Sequence, residues 1–347
     1  MTQVHPVTAF LAVASLVAVA IAGANPLIMA LAVVALALLS SLAAGPRRAC
    51  FVDAALTAIV VVAIWLAFAV LVDQSDTRGA VVLTLPRRQL GAGVAIGGVK
   101  TVTWLEQMAL RGVGAGLVVL GLGLLAQLRP ARTWLNTISM LFGRWTDLVA
   151  PLVCLPEAVL ATRRLDAPAR RLARSARAAR THLRPEQLVN ALAGAEHLAQ
   201  AWRDDHPRVG AGPSGAAGAR WRGGMAVLGG WLVVAIPLVM LIGGPRLPIA
   251  LVAALIAWGV GSCVVHVRSQ RAVPLSAADW PLLGACLLLG GAWWARNVTG
   301  DAAALGVAPG GWPGLPLALT AGMALVVLAA VVVEVRGRAR RAGAHHA

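Results

Sequence analysis

The sequence from Pro156 to His206 reads PEAVLATRRLDAPARRLARSARAARTHLRPEQLVNALAGAEHLAQAWRDDH, and a stretch rich in glycine, alanine and proline follows it to about Arg222. This arginine-rich stretch separates two blocks of strongly apolar sequence. It is the one sizeable segment whose composition suits contact with water. We therefore expect a soluble partner, if the chain has one, to bind here.

The composition of the whole chain indicates a membrane protein. Of its 347 residues, 59% are hydrophobic and 13% are charged, and the mean hydropathy is +0.78, outside the range of soluble globular domains. The net charge is +16, but the arginines are concentrated in particular connections between apolar runs. Membrane topology explains that distribution better than nucleic-acid binding does, and we expect no nucleic-acid partner.

Apolar runs long enough to cross a bilayer lie on both sides of the basic stretch. A spanning helix needs about 20 residues, and the sequence predicts eight such spans in two groups of four. They cover residues 7–23, 27–44, 51–72, 109–127, 224–242, 247–266, 280–296 and 314–334. The expected fold class is an all-α polytopic membrane protein with a central cytoplasmic pair of amphipathic helices.

This pattern divides the chain into four regions. Residues 1–128 hold the N-terminal transmembrane helices, and residues 129–222 hold the basic cytoplasmic region and its linker. Residues 223–335 hold the C-terminal transmembrane helices. A basic cytoplasmic tail, 336–347, follows them.

Arginine in short connections favours the cytoplasmic side of a membrane. With the N-terminus inside, the basic stretch and the C-terminal tail both fall inside. A multi-pass protein of a bacterial plasma membrane with both termini cytoplasmic is therefore expected. The exception is 73–108, which holds Arg78, Arg87, Arg88 and Lys100 on the outer side. Its short apolar run AVVLTLP predicts an interfacial or re-entrant piece, and if it crossed the membrane all later orientations would invert.

Two helices are predicted within the basic stretch. Between Leu165 and Leu183 small and apolar residues recur at steps of three or four, with arginines on another face. Pro168 is expected to mark a break or a first turn. A second helix is expected from about Glu186 to Ala201.

The arginine stripe has two interpretations. Its side chains can lie on anionic lipid headgroups, each contributing about 1 kcal/mol near the surface. Alternatively, the two helices form a cytoplasmic platform that binds a soluble partner through arginine. Both interpretations stay open at this point.

Short motifs follow one another in an order that carries a family resemblance. They are His5-Pro6-Val7-Thr8, Asn25-Pro26, Ala109-Leu110-Arg111, Arg144-Trp145 with Pro151, Glu157-Ala158 with Ala161, and Ala195-Glu196-His197-Leu198-Ala199-Gln200-Ala201. In this order they resemble the transmembrane T component of energy-coupling factor (ECF) transporters, the EcfT/CbiQ family. The last motif, which resembles the second coupling helix of that family, is the most specific of them.

The resemblance implies a scaffold that performs no chemistry itself. Two ABC-type ATPase subunits would bind the coupling helices, and a separate substrate-binding membrane subunit would release a vitamin or a metal ion inside the cell. The chain has no Walker A motif, so ATP would have to be bound and hydrolysed by the partner subunits. The chain itself is not expected to be an enzyme. The family ends each coupling helix with Ala-Arg-Gly. Here the matching positions are Arg164-Leu165-Asp166 and Asp204-Asp205-His206. The imperfect substitutes at the first site are Ala161-Thr162-Arg163 or Ala176-Arg177-Ala178, and Arg203 is the nearest substitute at the second site.

From the resemblance and the charge pattern we predict a set of partner-docking residues. They are Glu157, Arg163, Arg164, Arg177, Arg180, Glu196 and Arg203. The remaining polar residues predict no catalytic, cofactor-binding or metal-binding site, because no Ser/His/Asp set, paired carboxylates or ligand spacing occurs. The four cysteines, Cys50, Cys154, Cys263 and Cys286, are expected to be buried as small apolar residues.

Two functions from different classes therefore remain. One is the transporter scaffold just described. The other is a membrane anchor or assembly protein without transport, whose basic helices bind anionic lipid. A secondary transporter would need polar residues or broken helices at mid-membrane in both halves, and neither half supplies them clearly. Within the predicted spans, Asp53 and Arg111 are the ionisable candidates for a functional role.

Overall fold

A computed structural model describes residues 4–23, 25–43, 45, 47–72, 79–89, 95–142, 146–172, 185–205, 277, 279–298 and 316–344. Most of these residues are helical. The helices are α1 (Pro6–Gly23), α2 (Pro26–Leu42), α3 (Arg48–Leu71), α4 (Val102–Leu128), α5 (Ala131–Phe142), α6 (Thr146–Leu172), α7 (Pro185–Asp205), α8 (Asp279–Val298) and α9 (Leu317–Ala344), and the strands are β1 (Val81–Gln89) and β2 (Ala95–Thr101).

The chain forms two compact units. In the first unit, α1 from Thr8 onward joins α2, α3, the two strands, α4, α8 and α9. The second unit contains α5, α6 and α7, together with residues His5–Val7.

Three helices in the first unit are long and apolar enough to cross a membrane. They are Arg48–Leu71, Val102–Leu128 and the Leu317–Gly337 part of α9, while α1 and α2 are shorter apolar helices. The protein is therefore membrane-embedded and mostly helical, but the described residues do not show the eight spans expected from the sequence. Two of the expected spans, 224–242 and 247–266, lie outside the described residues. The expected tail begins within α9, which continues to Ala344.

Glycine allows α4 to pack closely against α3. Gly112, Gly116 and Gly123 face Trp65, Ala58 and Ala54 respectively, so the two helices run antiparallel. A Cβ atom on Gly123 would overlap the Cβ of Ala54. Small residues at such positions permit the close backbone approach that drives helix association in a membrane.

Two of the motif positions act as helix N-caps. The Asn25 Oδ1 accepts a hydrogen bond from the Leu27 backbone N–H at 2.9 Å, directly before Pro26 at the first helical position. Likewise, His5 Nδ1 accepts from the Val7 N–H at 3.2 Å, and Pro6 begins α1. A side-chain acceptor followed by proline is a favourable way to start a helix, because it satisfies a donor that has no intrahelical partner.

The strands Val81–Gln89 and Ala95–Thr101 correct the expectation of a purely α-helical chain. The two strands pair antiparallel, from Val81 opposite Thr101 to Gln89 opposite Ala95, and so the AVVLTLP run lies in a β-hairpin. The pairing shifts register between Leu85 and Arg88, where Pro86 interrupts the ladder. Opposite it, Gly97 has φ of +87°, and a Cβ there would overlap the Pro86 carbonyl.

Side chains from β2 and α4 attach the hairpin to the end of α3. The Lys100 Nζ donates to the Val72 carbonyl, which caps α3, and the Lys100 side chain is fully buried. The indole Nε1 of Trp104 donates to the Ala69 carbonyl at 3.0 Å. A cation at the C-terminal end of a helix is favoured by the helix dipole.

A buried polar contact joins α2 and α4 near their C-terminal ends. The Ser40 hydroxyl donates to Gln127 Oε1 at 2.7 Å, and Gln127 Nε2 donates to the Ser40 carbonyl at 2.8 Å. Because both side chains are buried in an apolar unit, this reciprocal pairing removes the cost of leaving either group unsatisfied. Of the predicted ionisable candidates, Asp53 is partly exposed on α3 and Arg111 is exposed on α4.

Candidate docking surface on the α6–α7 pair

In the second unit, α6 and α7 form an antiparallel helical pair. Arg203, near the end of α7, contacts Asp147, near the start of α6. In the middle of the pair, Gly194 faces Ala158, and a Cβ on the glycine would lie 3.5 Å from the Ala158 Cβ. These two contacts define the direction and the register of the helices.

The seam of the pair consists of small side chains spaced four residues apart. They are Ala150, Cys154 and Ala158 on α6 and Ala191, Ala195 and Ala199 on α7, and all of them are buried. Residues four apart lie on the same face of a helix. Small side chains along both faces allow close packing, so that the pair is held by many dispersion contacts.

Helix α5 closes one end of this seam. Ala131 and Leu135 of α5 join the buried cluster, which also contains Trp202 of α7. The indole Nε1 of Trp202 donates to Asn136 Oδ1 at 2.7 Å. This bond gives a buried indole the polar partner that it needs.

The guanidinium of Arg203 is used within the pair. Its Nη1 donates to Gln200 Oε1 at 2.8 Å, and its Nη2 donates to the Asp147 carbonyl at 3.2 Å. Its Nε lies 3.7 Å from Asp147 Oδ1. Arg203, which the sequence predicted to dock a partner, therefore ties the end of α7 to the start of α6.

The face of α7 opposite the seam carries a polar stripe. At about 100° per residue, Ala193, Glu196, His197, Gln200 and Asp204 fall on one side of the helix, away from the buried alanines. The first four line a shallow open depression. We call these five residues the outer stripe.

The predicted docking residues are only partly brought together. Glu196 is exposed on the outer stripe, and Glu157 is partly exposed on α6. Arg163 and Arg164 belong to the helical backbone of α6, but their side chains lie outside the described residues. Arg177 and Arg180 also lie outside the described residues.

The helix boundaries differ from the predicted ones on α6. This helix starts at Thr146 and continues through Pro168 to Leu172, so the expected break or first turn at Pro168 is wrong. A proline inside a helix removes one backbone hydrogen bond without always ending the helix. The second helix, expected from Glu186 to Ala201, extends from Pro185 to Asp205.

Cys154 lies buried in the seam between α6 and α7. Burial raises the pKa of its thiol, and the nearby carboxylate of Glu157 raises that pKa further, while the Arg203 cation lowers it. Since only the thiolate is strongly nucleophilic, a raised pKa keeps Cys154 inert at neutral pH. The prediction that the cysteines are buried is confirmed for Cys50 and Cys154, while Cys286 is partly buried. Cys263 lies outside the described residues.

The sequence did not reveal Asp147 and Asn136 as partners of α7. Asp147 carried a local signal, because Thr146-Asp147 before an apolar run is typical of a helix start. Asn136 carried none, since it lies 66 positions from Trp202 in the chain. Glu334 was also missed, although it is buried in α9.

Among the residues that the structure describes, no group of three or more His, Cys, Asp or Glu side chains is placed to hold a metal ion. Comparisons of the chain with protein-family models, with curated proteins and with solved structures give no match.

Proposed function

We propose that this chain is the membrane scaffold subunit of an ECF-type ABC importer in a bacterial plasma membrane. In this proposal ABC-type ATPase subunits bind the α6–α7 pair, and a separate membrane subunit binds the vitamin or metal ion. The chain itself would couple the two. The family resemblance supplies the identity of these partners.

One observation carries the proposal: the motif Ala195 to Ala201 divides into two faces. Ala195 and Ala199 lie buried in the seam with α6, while Glu196, His197 and Gln200 point outward. A motif with this division has one face for rigid attachment and one for a partner. Such a division suits a helix that transmits the movement of a bound ATPase subunit to the helix packed behind it.

The packing of the pair supports a mechanical role. Close-packed small residues resist deformation, so a displacement of α7 is passed to α6 and not absorbed between them. Arg203 and Trp202 hold the end of α7 to α6 and α5 respectively. A force applied to the outer stripe would therefore move α5, α6 and α7 together.

Co-purification from native membranes tests the proposal. The tagged chain is extracted in mild detergent, and the bound proteins are identified by mass spectrometry. An ATPase with Walker motifs and a second small membrane protein are expected in the eluate. An Arg163→Glu, Arg177→Glu variant should recover less ATPase, because both arginines are predicted to dock it. Arg203 is kept, since its replacement would also disturb the contact with Asp147.

The alternative function makes an opposite prediction in the same experiment. If the chain is an anchor whose basic helices bind anionic lipid, no ATPase is recovered from either form. Retention of the folded protein on vesicles containing phosphatidylglycerol would then fall in the double variant. That result would replace the transport proposal.

A further inference from the structure

Strand β1 is an exposed apolar edge at the end of two membrane-length helices. Eight of its nine residues are exposed, and among them Val81, Val82 and Leu83 are 59%, 58% and 40% exposed. In water such an edge would promote aggregation. Here the hairpin joins α3 to α4, both of which are long and apolar enough to cross a membrane. The surface of the bilayer is therefore the nearest cover for these side chains.

Strand β2 holds the hairpin across the ends of α3 and α4. At one end Thr101 is followed directly by Val102, the first residue of α4. Toward the other end Ile96 forms a β-bridge with Val72, the residue directly after α3. A strand that is fixed to the ends of two neighbouring spanning helices lies close to the plane of the membrane surface. Because β1 pairs with β2, it has the same orientation.

The apolar surface of α3 is exposed as far as the hairpin. Phe68 and Leu71 in its last turn are 59% and 57% exposed, as expected of a spanning helix that faces lipid. Trp104 in the first turn of α4 is partly buried, and its indole donates to the Ala69 carbonyl. Tryptophan is enriched at membrane–water interfaces. These side chains place the boundary of the bilayer at the level of the hairpin.

The charges of the hairpin suit the same surface. Between Gly79 and Leu105 the sequence contains the cations Arg87, Arg88 and Lys100 and no carboxylate. Lys100 is buried and donates to the carbonyl that caps α3, whereas both arginines are exposed on β1. A guanidinium group matches the geometry of phosphate oxygens, and anionic lipid attracts basic side chains near its surface.

We infer that β1 is a lipid-binding strand in the headgroup layer of the bilayer. Val81, Val82 and Leu83 contact the upper parts of the acyl chains, and the guanidinium groups of Arg87 and Arg88 bind headgroup phosphates of anionic lipid. The polar layer of one leaflet is only about 5–8 Å thick. Both ends of the strand reach lipid because the strand lies close to the membrane plane. The inference is independent of the proposed transport function.

Lipid fits this edge better than a strand from a second copy of the chain does. Pro86 has no backbone N–H to donate, and the pairing of β1 already shifts register between Val81 and Leu83 and again between Leu85 and Arg88. Two copies paired along β1 would also bring arginines of like charge together.

Depth-dependent fluorescence quenching of the full chain tests the inference. A fluorescent amino acid is incorporated genetically at position 82, and the chain is reconstituted in vesicles of phosphatidylcholine and phosphatidylglycerol. Lipids brominated near the top of the acyl chain should quench the fluorescence, and aqueous iodide should not. Position 68 on α3 is the control for contact with lipid, and the free amino acid sets the scale for iodide. Quenching by iodide, or shielding of position 82 from both quenchers by a protein contact, would overturn the inference.

Lipid crosslinking tests the two arginines. The vesicles contain phosphatidylglycerol with a photoreactive headgroup, and mass spectrometry of peptides locates the crosslinks. Crosslinking at β1 should fall about tenfold in an Arg87→Gln, Arg88→Gln variant, because two cations near anionic lipid are lost. Crosslinks elsewhere in the same chain are the internal reference.

A lysine pair is the matched control for the glutamine variant. Arg87→Lys with Arg88→Lys keeps both charges and should retain most of the crosslinking at β1. Equal crosslinking of β1 in wild type and in the glutamine variant would overturn the role of the arginines. The elution volume in gel filtration verifies that each variant is folded.

Discussion

Trp202 and Asn136 connect α7 to α5 through a hydrogen bond of 2.7 Å between the indole Nε1 and the amide Oδ1. Trp202 is buried, and its neighbour Arg203 reaches sideways to Asp147 on α6. Two consecutive residues thus hold the end of α7 to two different helices. The position of the outer stripe depends on this attachment.

Replacement of Trp202 by phenylalanine tests the attachment. The ring is kept in part, but the Asn136 amide loses its donor inside the unit, and we expect a cost of about 1–2 kcal/mol. Hydrogen exchange of the α7 amides in detergent should become faster. An exposed substitution, Asn190→Ala, serves as the control. Unchanged protection in the Trp202 variant would mean that the bond does not fix α7.

The contact between Arg203 and Asp147 is expected to be weak in energy. Both side chains are about a third to a half exposed, so water screens their charges. A double-mutant cycle with Arg203→Ala and Asp147→Ala should give a coupling of no more than about 1 kcal/mol. A much larger coupling would show that the pair is shielded from water, in conflict with the exposure of both groups.

Gly123 on α4 should be intolerant of any side chain. A Cβ at this position overlaps the Cβ of Ala54 on α3, and neither atom is the end of a flexible side chain. We expect Gly123→Ala to destabilise the first unit by about 1–3 kcal/mol. The midpoint of thermal unfolding in detergent measures this, with Leu122→Ala as an exposed control. Equal midpoints for the two variants would contradict the close approach of α3 and α4.

Cys154 should react slowly with maleimide at neutral pH. Its pKa is raised, so the thiol stays protonated, and the reactive thiolate forms only as the pH rises above the ordinary range for cysteine. Quantitative labelling of the folded protein, followed by mass spectrometry of the peptide, measures the rate. Denaturant should accelerate labelling, because it removes the burial that raises the pKa. Fast labelling of the native protein at pH 7 would argue against the buried seam.

The sequence predicted the helices best where long apolar runs end at charge, proline or glycine. α3 and α4 overlap two of the expected spans, and α7 covers the helix expected from about Glu186 to Ala201. The hairpin was missed because the AVVLTLP run has no strict alternation of apolar and polar residues, which is the usual signal of a strand. Strand β1 is exposed at almost every position. It therefore has no buried face that would require alternating apolar and polar residues in the sequence.

The contacts of α7 could be predicted only in part, because a sequence pattern does not show which distant residues meet in the fold. Periodicity shows which residues share a face of α7. It does not show which distant residue lies opposite. Asp147 and Asn136 are 56 and 66 positions away from their partners, so only the tertiary arrangement reveals that Arg203 contacts Asp147 and that Trp202 contacts Asn136.

The most direct test of the central claim is the ratio of ATPase to chain in a native-membrane pull-down of seam variants. Ala195→Leu with Ala199→Leu forces bulk between α6 and α7, whereas Ala201→Leu adds the same bulk at an exposed position of the same helix. If the α6–α7 pair is the docking element, the seam variant loses the ATPase and the Ala201 variant retains it, while both remain folded in the membrane. Equal recovery from both variants, or no ATPase even with wild type, would contradict the account.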